Sequence, residues 1–334
     1  MRGTALVLSA TLVVALTGCT GGPMPAPSPS YTSDYVAPPV TTIAPLTGIA
    51  VQQGQTLGPS LAAKIDNHAD ARPQVGLEHT DLVFEEMVEG GLTRYVAVWQ
   101  SDVPAEIGPI RSIRPMDPDI ISPLGGIVAY SGGQQRFVDA MKATNVVNAI
   151  HGQADTADVM YRTTAKRAPH NVIVKAPQLL AKHADLKPPT QQFAFAIDAS
   201  GATAVQDGVA RTKIALRFGA PSQPSWLFDS ASGRYLRSQS DTADEDSAGH
   251  QLSAANVIVL QVAIGNDGGV PKTELIGSGK AWVSSGGSTI TGTWRKTTQT
   301  GLIRLTDATG SVIRLAPGNS WIELVPVSGS VSFG

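Results

Sequence analysis

From residue 193 onward one pattern recurs: a short apolar or β-branched run, then a turn that calls for glycine. Strand candidates are Phe193 to Ile197, Lys213 to Phe218, Ser225 to Phe228, Tyr235 to Ser238, Asn256 to Ala263, Ala281 to Ser284, Thr289 to Lys296, Leu302 to Leu305, Val312 to Leu315 and Trp321 to Val325. Between them Asn266-Asp-Gly-Gly269, Ser285-Gly-Gly287 and Asp307-Ala-Thr-Gly310 supply the positive-φ residues that hairpins need. Such a sequence has few options besides an antiparallel sheet.

Upstream the rhythm is different. Asp81 to Glu89, Arg94 to Gln100, Gly126 to Tyr130 and Asn171 to Lys175 read as strands, whereas Gln134 to Ala143 and Pro177 to Ala184 read as helices. The expected fold class is therefore α+β: an N-terminal mixed α/β layered domain over 46–187, then a mostly antiparallel β domain over 190–334. Lys187-Pro-Pro-Thr190 marks the boundary.

The N-terminus carries one arginine, an apolar run from Ala5 to Leu16, and Thr17-Gly18-Cys19. Residues 1–18 are predicted to be a secretory signal, too short for a resident membrane helix. Leu16-Thr17-Gly18-Cys19 resembles the bacterial lipobox, which implies acylation of Cys19, the single cysteine of 334 residues. Two acyl chains bury enough methylene to hold a soluble domain at a membrane. Seven prolines between Thr20 and Pro45, with Asp34 as the lone charge, predict an extended tether over 19–45.

One cysteine rules out an internal disulfide framework. Twenty-five basic against 27 acidic residues leave no basic footprint for nucleic acid, and charged residues make up only 16% of the chain. Against that sparse background a polar cluster stands out: Lys64-Ile-Asp66-Asn67, Arg72, Gln74, Asp81, Glu85, Glu89, Arg94, Arg111, Arg114 and Asp117. The spacing of four between Asp81, Glu85 and Glu89 puts all three on one face of a strand or helix, able to meet Arg72, Arg94, Arg111 and Arg114. These groups either satisfy one another structurally or form an anion site gripped by the arginines. A hard-cation variant would draw on Asp66, Asp81, Glu85 and Asp117, but no loop has calcium-site spacing.

His170, in Pro169-His170-Asn171, is the candidate general acid or base, with Asn171 orienting it or a ligand; the alternative is that both shape the entry to the following strand. No pair of the six histidines has metal-ligand spacing, so no metal and no cofactor is expected. Ser131-Gly132-Gly133 is neither a phosphate-binding P-loop nor a nucleophile elbow.

The run Lys64 to Asn67, Ala71 to Leu77, Val88 to Gly91, Ile107 to Ser112 and Ala168-Pro-His-Asn171 resembles the YerB-like bacterial lipoproteins, the domain of unknown function 3048. Asn256 to Val259, Gly279 to Ala281, Gly292 to Lys296 and Leu315 to Gly318 resemble that family's C-terminal companion domain. The resemblance implies a lipid-anchored, two-domain surface protein and supplies no reaction. The expected function is a non-enzymatic lipoprotein on the extracytoplasmic face of the cell membrane. It would bind an anionic or polymeric envelope ligand through Arg72, Asp81, Glu85, Arg94, Arg111, Arg114 and Asn171. Two alternatives are an envelope hydrolase or transferase acting on a phosphorylated or glycan substrate, with the same arginines stabilising charge and His170 or a carboxylate as acid or base, and a structural or assembly factor whose β domain recruits a partner through exposed strand edges or a solvent-facing Trp282 or Trp294.

Overall fold

The computed structural model describes residues 42–52, 55 and 57–334. The predicted signal, Cys19 and the tether up to residue 41 lie outside the described residues. The tether was expected to run to residue 45, yet Ala44 is buried and Leu46 fully so. The folded body thus begins a few residues earlier than proline content suggested.

Strands from both halves of the chain build one large sheet. At its centre lie β1 (Leu61–Asp66), β2 (Leu82–Met87) and β3 (Thr93–Trp99), flanked by β4 (Ile127–Tyr130) and β5 (Val147–Ile150). β3 pairs antiparallel with β1 and β2, while β1, β4 and β5 run parallel. Ser320–Pro326, near the C-terminus, then joins β2 in parallel, and Asn256–Asp267, Gly277–Ser285 and Ser288–Lys296 extend the sheet outward. The boundary expected at 187–190 therefore divides the sequence but not the sheet, and the described residues form one compact unit.

The protein is mostly sheet, with few and short helices. The layered α/β arrangement expected for 46–187 is not seen: among the described residues of that segment the longest helix is Gln135–Lys142. Alternation along the strands explains the packing. Ala62, Leu82, Phe84, Val96 and Val98 face one core with Met116, Ile120, Phe137 and Met141. Leu61, Ala63, Ile65, Val83, Tyr95 and Ala97 face a second core, closed by the smaller sheet of Lys213–Arg217, Pro224–Asp229, Arg234–Gln239 and Ser330–Phe333.

Several expectations need correction. β1 carries Lys64 and Asp66 in an otherwise apolar run, so its strand character is hidden behind its charges. Phe193 to Ile197 and Val312 to Leu315 are not strands; Phe195 and Leu315 share only an isolated bridge. Trp294 is 2% exposed, its indole donating to the Gln261 carbonyl at 2.9 Å, and Trp282 packs against Phe333 and under Lys280. Trp294 is therefore a core residue, whereas Trp282 stays partly exposed.

Candidate functional site

The polar cluster resolves into separate networks because strand alternation sends neighbouring residues to opposite faces. Glu85, on the face of the second core, meets a residue from the distant half of the chain. Arg237 is fully buried; it donates to Glu85 at 2.7 Å, to Asp244 at 2.9 Å and to Glu323 at 3.1 Å. Glu85 and Glu323 are directly opposed on adjacent strands, a like-charge pair that only an intervening cation makes tolerable. Burial, reinforced by the Glu85 charge, holds the Glu323 carboxyl well above the usual carboxylate range. Thr93 Oγ1 donates to Glu85 at 2.6 Å, Trp226 Nε1 to Glu323 at 2.8 Å, and the Trp321 ring lies 4.6 Å from the guanidinium. Glu85 is thus a core ion-pair residue.

Asp81 is also structural. It precedes β2, and its carboxylate accepts the backbone N–H groups of Gln100 and Ser101 at 2.6 and 2.8 Å. Glu89, beyond the other end of β2, pairs with Arg114 at 2.8 Å. The three carboxylates therefore do not share a face, since the strand spans only the middle one. Lys64, on the opposite face from Glu85, is sealed between Glu86 and Asp117, the latter at 2.7 Å. Arg72 braces the loop after β1 through Asn67, at 3.0 Å to its Oδ1 and 2.9 Å to its carbonyl. Asn171 donates to Thr163 O and accepts from Arg162, which shapes the His170 loop.

What does converge is Arg94, Arg111, Arg114 and His170, joined by Asp66, His68 and Glu89, around a cavity of about 200 Å³. Asp66 closes β1 directly opposite Arg94, and the chain crosses back over it with Arg111 N bonded to Lys64 O. Gly108 permits that crossing: its φ is +152°, and a Cβ there would meet Val172 O at 2.7 Å.

Asp66 Oδ2 lies 2.6 Å from His170 Nδ1 and 3.0 Å from Arg111 Nε, although the Arg111 N–H is not directed along the latter contact. His68 stacks on His170 with centroids 4.7 Å apart and an interplanar angle of 19°. Its Nδ1 accepts the Asp70 N–H at 3.2 Å, so that lone pair is spent. Although His68, Asp70 and His170 lie close together, the spent nitrogen and three neighbouring guanidiniums make a poor cation site.

Arg94 is the unusual member. It is only 8% exposed, forms no ion pair among the described residues, and donates to the Ser112 carbonyl at 2.9 Å. Burial, with the charges of Arg114 and Arg111 adding to it, pushes its guanidinium down to about 10. Three guanidiniums thus face two carboxylates, leaving one positive charge before either imidazole is protonated. A concave, net-positive, partly desolvated cavity attracts anions.

Arg237 and His68 were not among the expected site residues, and Asp66 was expected only as a ligand of the hard-cation variant. Arg237 had a readable signal, since Tyr235, Arg237 and Gln239 occupy the inward positions of an alternating strand. His68 had none, because its partner lies 102 positions away.

A mixed sheet shared by both halves of the chain carries an arginine-lined cavity at the end of its central strands. The chain belongs to the DUF3048 family, described as proteins of unknown function: the N-terminal domain model matches residues 46–189 and the C-terminal one residues 214–322. A Bacillus subtilis (strain 168) relative named "Putative lipoprotein YerB" is 24% identical over 304 residues, 85% of this chain and 86% of its own. The crystal structure of YerB from Bacillus subtilis superposes with a TM-score of 0.74 at 23% identity, covering 87% of this chain and 99% of that one. That likeness establishes a shared fold.

Proposed function

We propose that this chain is a lipoprotein anchored through Cys19 on the extracytoplasmic face of the membrane, and that its cavity binds the anionic group of an envelope ligand. The lipobox-like Leu16-Thr17-Gly18-Cys19 and the name of the Bacillus relative support the anchor. Arg94 carries the binding reading: a buried guanidinium without a carboxylate partner costs stability, and a ligand anion would supply that partner. Arg111 and Arg114 stand beside it as further donors, and forked guanidiniums match phosphate or carboxylate oxygens.

Calorimetric titration of the full chain with inorganic phosphate, and with acetate as the carboxylate probe, tests this. Saturable binding that weakens with ionic strength is expected, as is at least a tenfold loss on Arg94→Met or Arg111→Lys. Equal heats for wild type and both variants overturn the reading. Cys19→Ser should move the protein from the membrane to the soluble fraction; its retention at the membrane would sink the anchor.

A second reading is favoured by the Asp66–His170 pair. With Nδ1 bonded to Asp66, His170 has no hydrogen-bond partner at Nε2 among the described residues and lines the cavity, an arrangement that suits acid–base chemistry on a bound phosphate ester. His170→Gln distinguishes the readings: a binder loses nothing, whereas an enzyme loses turnover of an aryl phosphate and keeps phosphate affinity.

A further inference from the structure

On a different face of the molecule, two carboxylates and an imidazole meet. Glu78, Asp246 and His250 each bring a ligand atom within 4.8 Å of the others. Glu78 comes from the loop between β1 and β2, and the other two from the loop 244–251 in the second half of the chain. The backbone holds the loops together: Ser247 N donates to Gln74 O at 2.7 Å, and Gln74 bridges Asp246.

Each carboxylate is held by one oxygen and leaves the other buried without a hydrogen-bond partner among the described residues. Asp246, 2% exposed, accepts the Ala248 N–H on Oδ1 at 2.8 Å, while its buried Oδ2 has no partner. Glu78 Oε1 lies 3.1 Å from His79 Nε2, and His79 is held in turn by Asp102 at 2.6 Å; the buried Glu78 Oε2 also has no partner. Neither Asp246 nor Glu78 is paired with a lysine or arginine among the described residues. Each carboxylate of the cluster thus has one buried oxygen that has lost its water and gained no partner among the described residues, and a cation would satisfy both.

We infer that Glu78, Asp246 and His250 form a divalent metal site that takes Zn²⁺. An imidazole nitrogen with two carboxylate oxygens is a zinc-type donor set, with a fourth position left to water. Donors about 2.1 Å from one tetrahedral ion lie about 3.4 Å apart, so atoms that already lie within 4.8 Å of one another draw in by at most about 1.4 Å. The exposed His250 side chain has the freedom to supply that movement. The Asp102–His79–Glu78 chain is the outer support that ligating carboxylates commonly have. The ion would tie the two sequence segments together at this point.

The experiment is calorimetric titration of the chelator-treated full chain with Zn²⁺, alongside Co²⁺ monitored by its visible absorption. One site per chain, visible Co²⁺ bands of a four-coordinate N/O environment and a raised melting temperature with Zn²⁺ are expected. His250→Ala replaces an exposed side chain and leaves the fold intact; together with Asp246→Asn it should weaken Zn²⁺ at least about tenfold. His170→Ala should leave the stoichiometry at one. No zinc uptake by the wild type, or the same affinity in folded His250→Ala and Asp246→Asn proteins, overturns the assignment.

Discussion

Asp66 Oδ2 sits 2.6 Å from His170 Nδ1, across 104 positions of sequence. The contact fixes the imidazole at the cavity wall and uses the carboxylate that closes β1. If His170 acts in proton transfer, Asp66→Asn should lower turnover of an aryl phosphate and reshape its pH profile. Phosphate affinity should hold or tighten, because a negative charge has left the rim. Loss of phosphate binding in a folded Asp66→Asn protein would argue that the pair only supports the loop.

Arg94 sets function against stability. Replacing it by methionine removes a buried charge that the fold does not neutralise, so urea unfolding should show a gain of about 1–2 kcal/mol. The same variant should lose phosphate binding. A destabilised Arg94→Met protein would mean that the guanidinium serves the core.

Arg237 should behave in the opposite way. Its removal leaves Glu85, Asp244 and Glu323 buried without their cation. Arg237→Met is expected to cost about 3–5 kcal/mol in urea denaturation, with no effect on phosphate binding beyond that loss of folded protein.

Lys64 makes stability depend on alkaline pH. Burial pushes its ammonium from 10.5 down to about 8; Asp117 opposes the fall, and the charges of Arg94 and Arg114 add to it. Between those values the unfolded chain binds more protons than the folded one, so unfolding free energy rises with pH, by on the order of 3 kcal/mol for this group. Lys296, lowered by burial to about 8, acts with the same sign in the same window. Urea midpoints should therefore climb from pH 8 to pH 10, and Lys64→Met should flatten the climb by roughly half. A flat or falling profile in the wild type would contradict it.

The strands Asn256–Asp267 and Ser288–Lys296 and the helix Gln135–Lys142 were legible in the chain, because alternation, helical spacing and glycine turns are local signals. β1 was not, since its buried Lys64 and Asp66 look like surface residues until their partners are known. Likewise the arginine cluster could be located but not sorted: Arg94, Arg111 and Arg114 reach the cavity, whereas Arg72 braces a loop and Glu85 belongs to Arg237.

By itself, then, the sequence determined the β-rich character, the turns, the family and the lipobox-like cysteine, all carried by residues within a few positions of one another. Only the tertiary structure decided that both halves share one sheet, that Asp66 meets His170, and that Glu78 meets Asp246 and His250. Strand pairing and burial choose such partners across more than a hundred positions, and no local spacing records that choice.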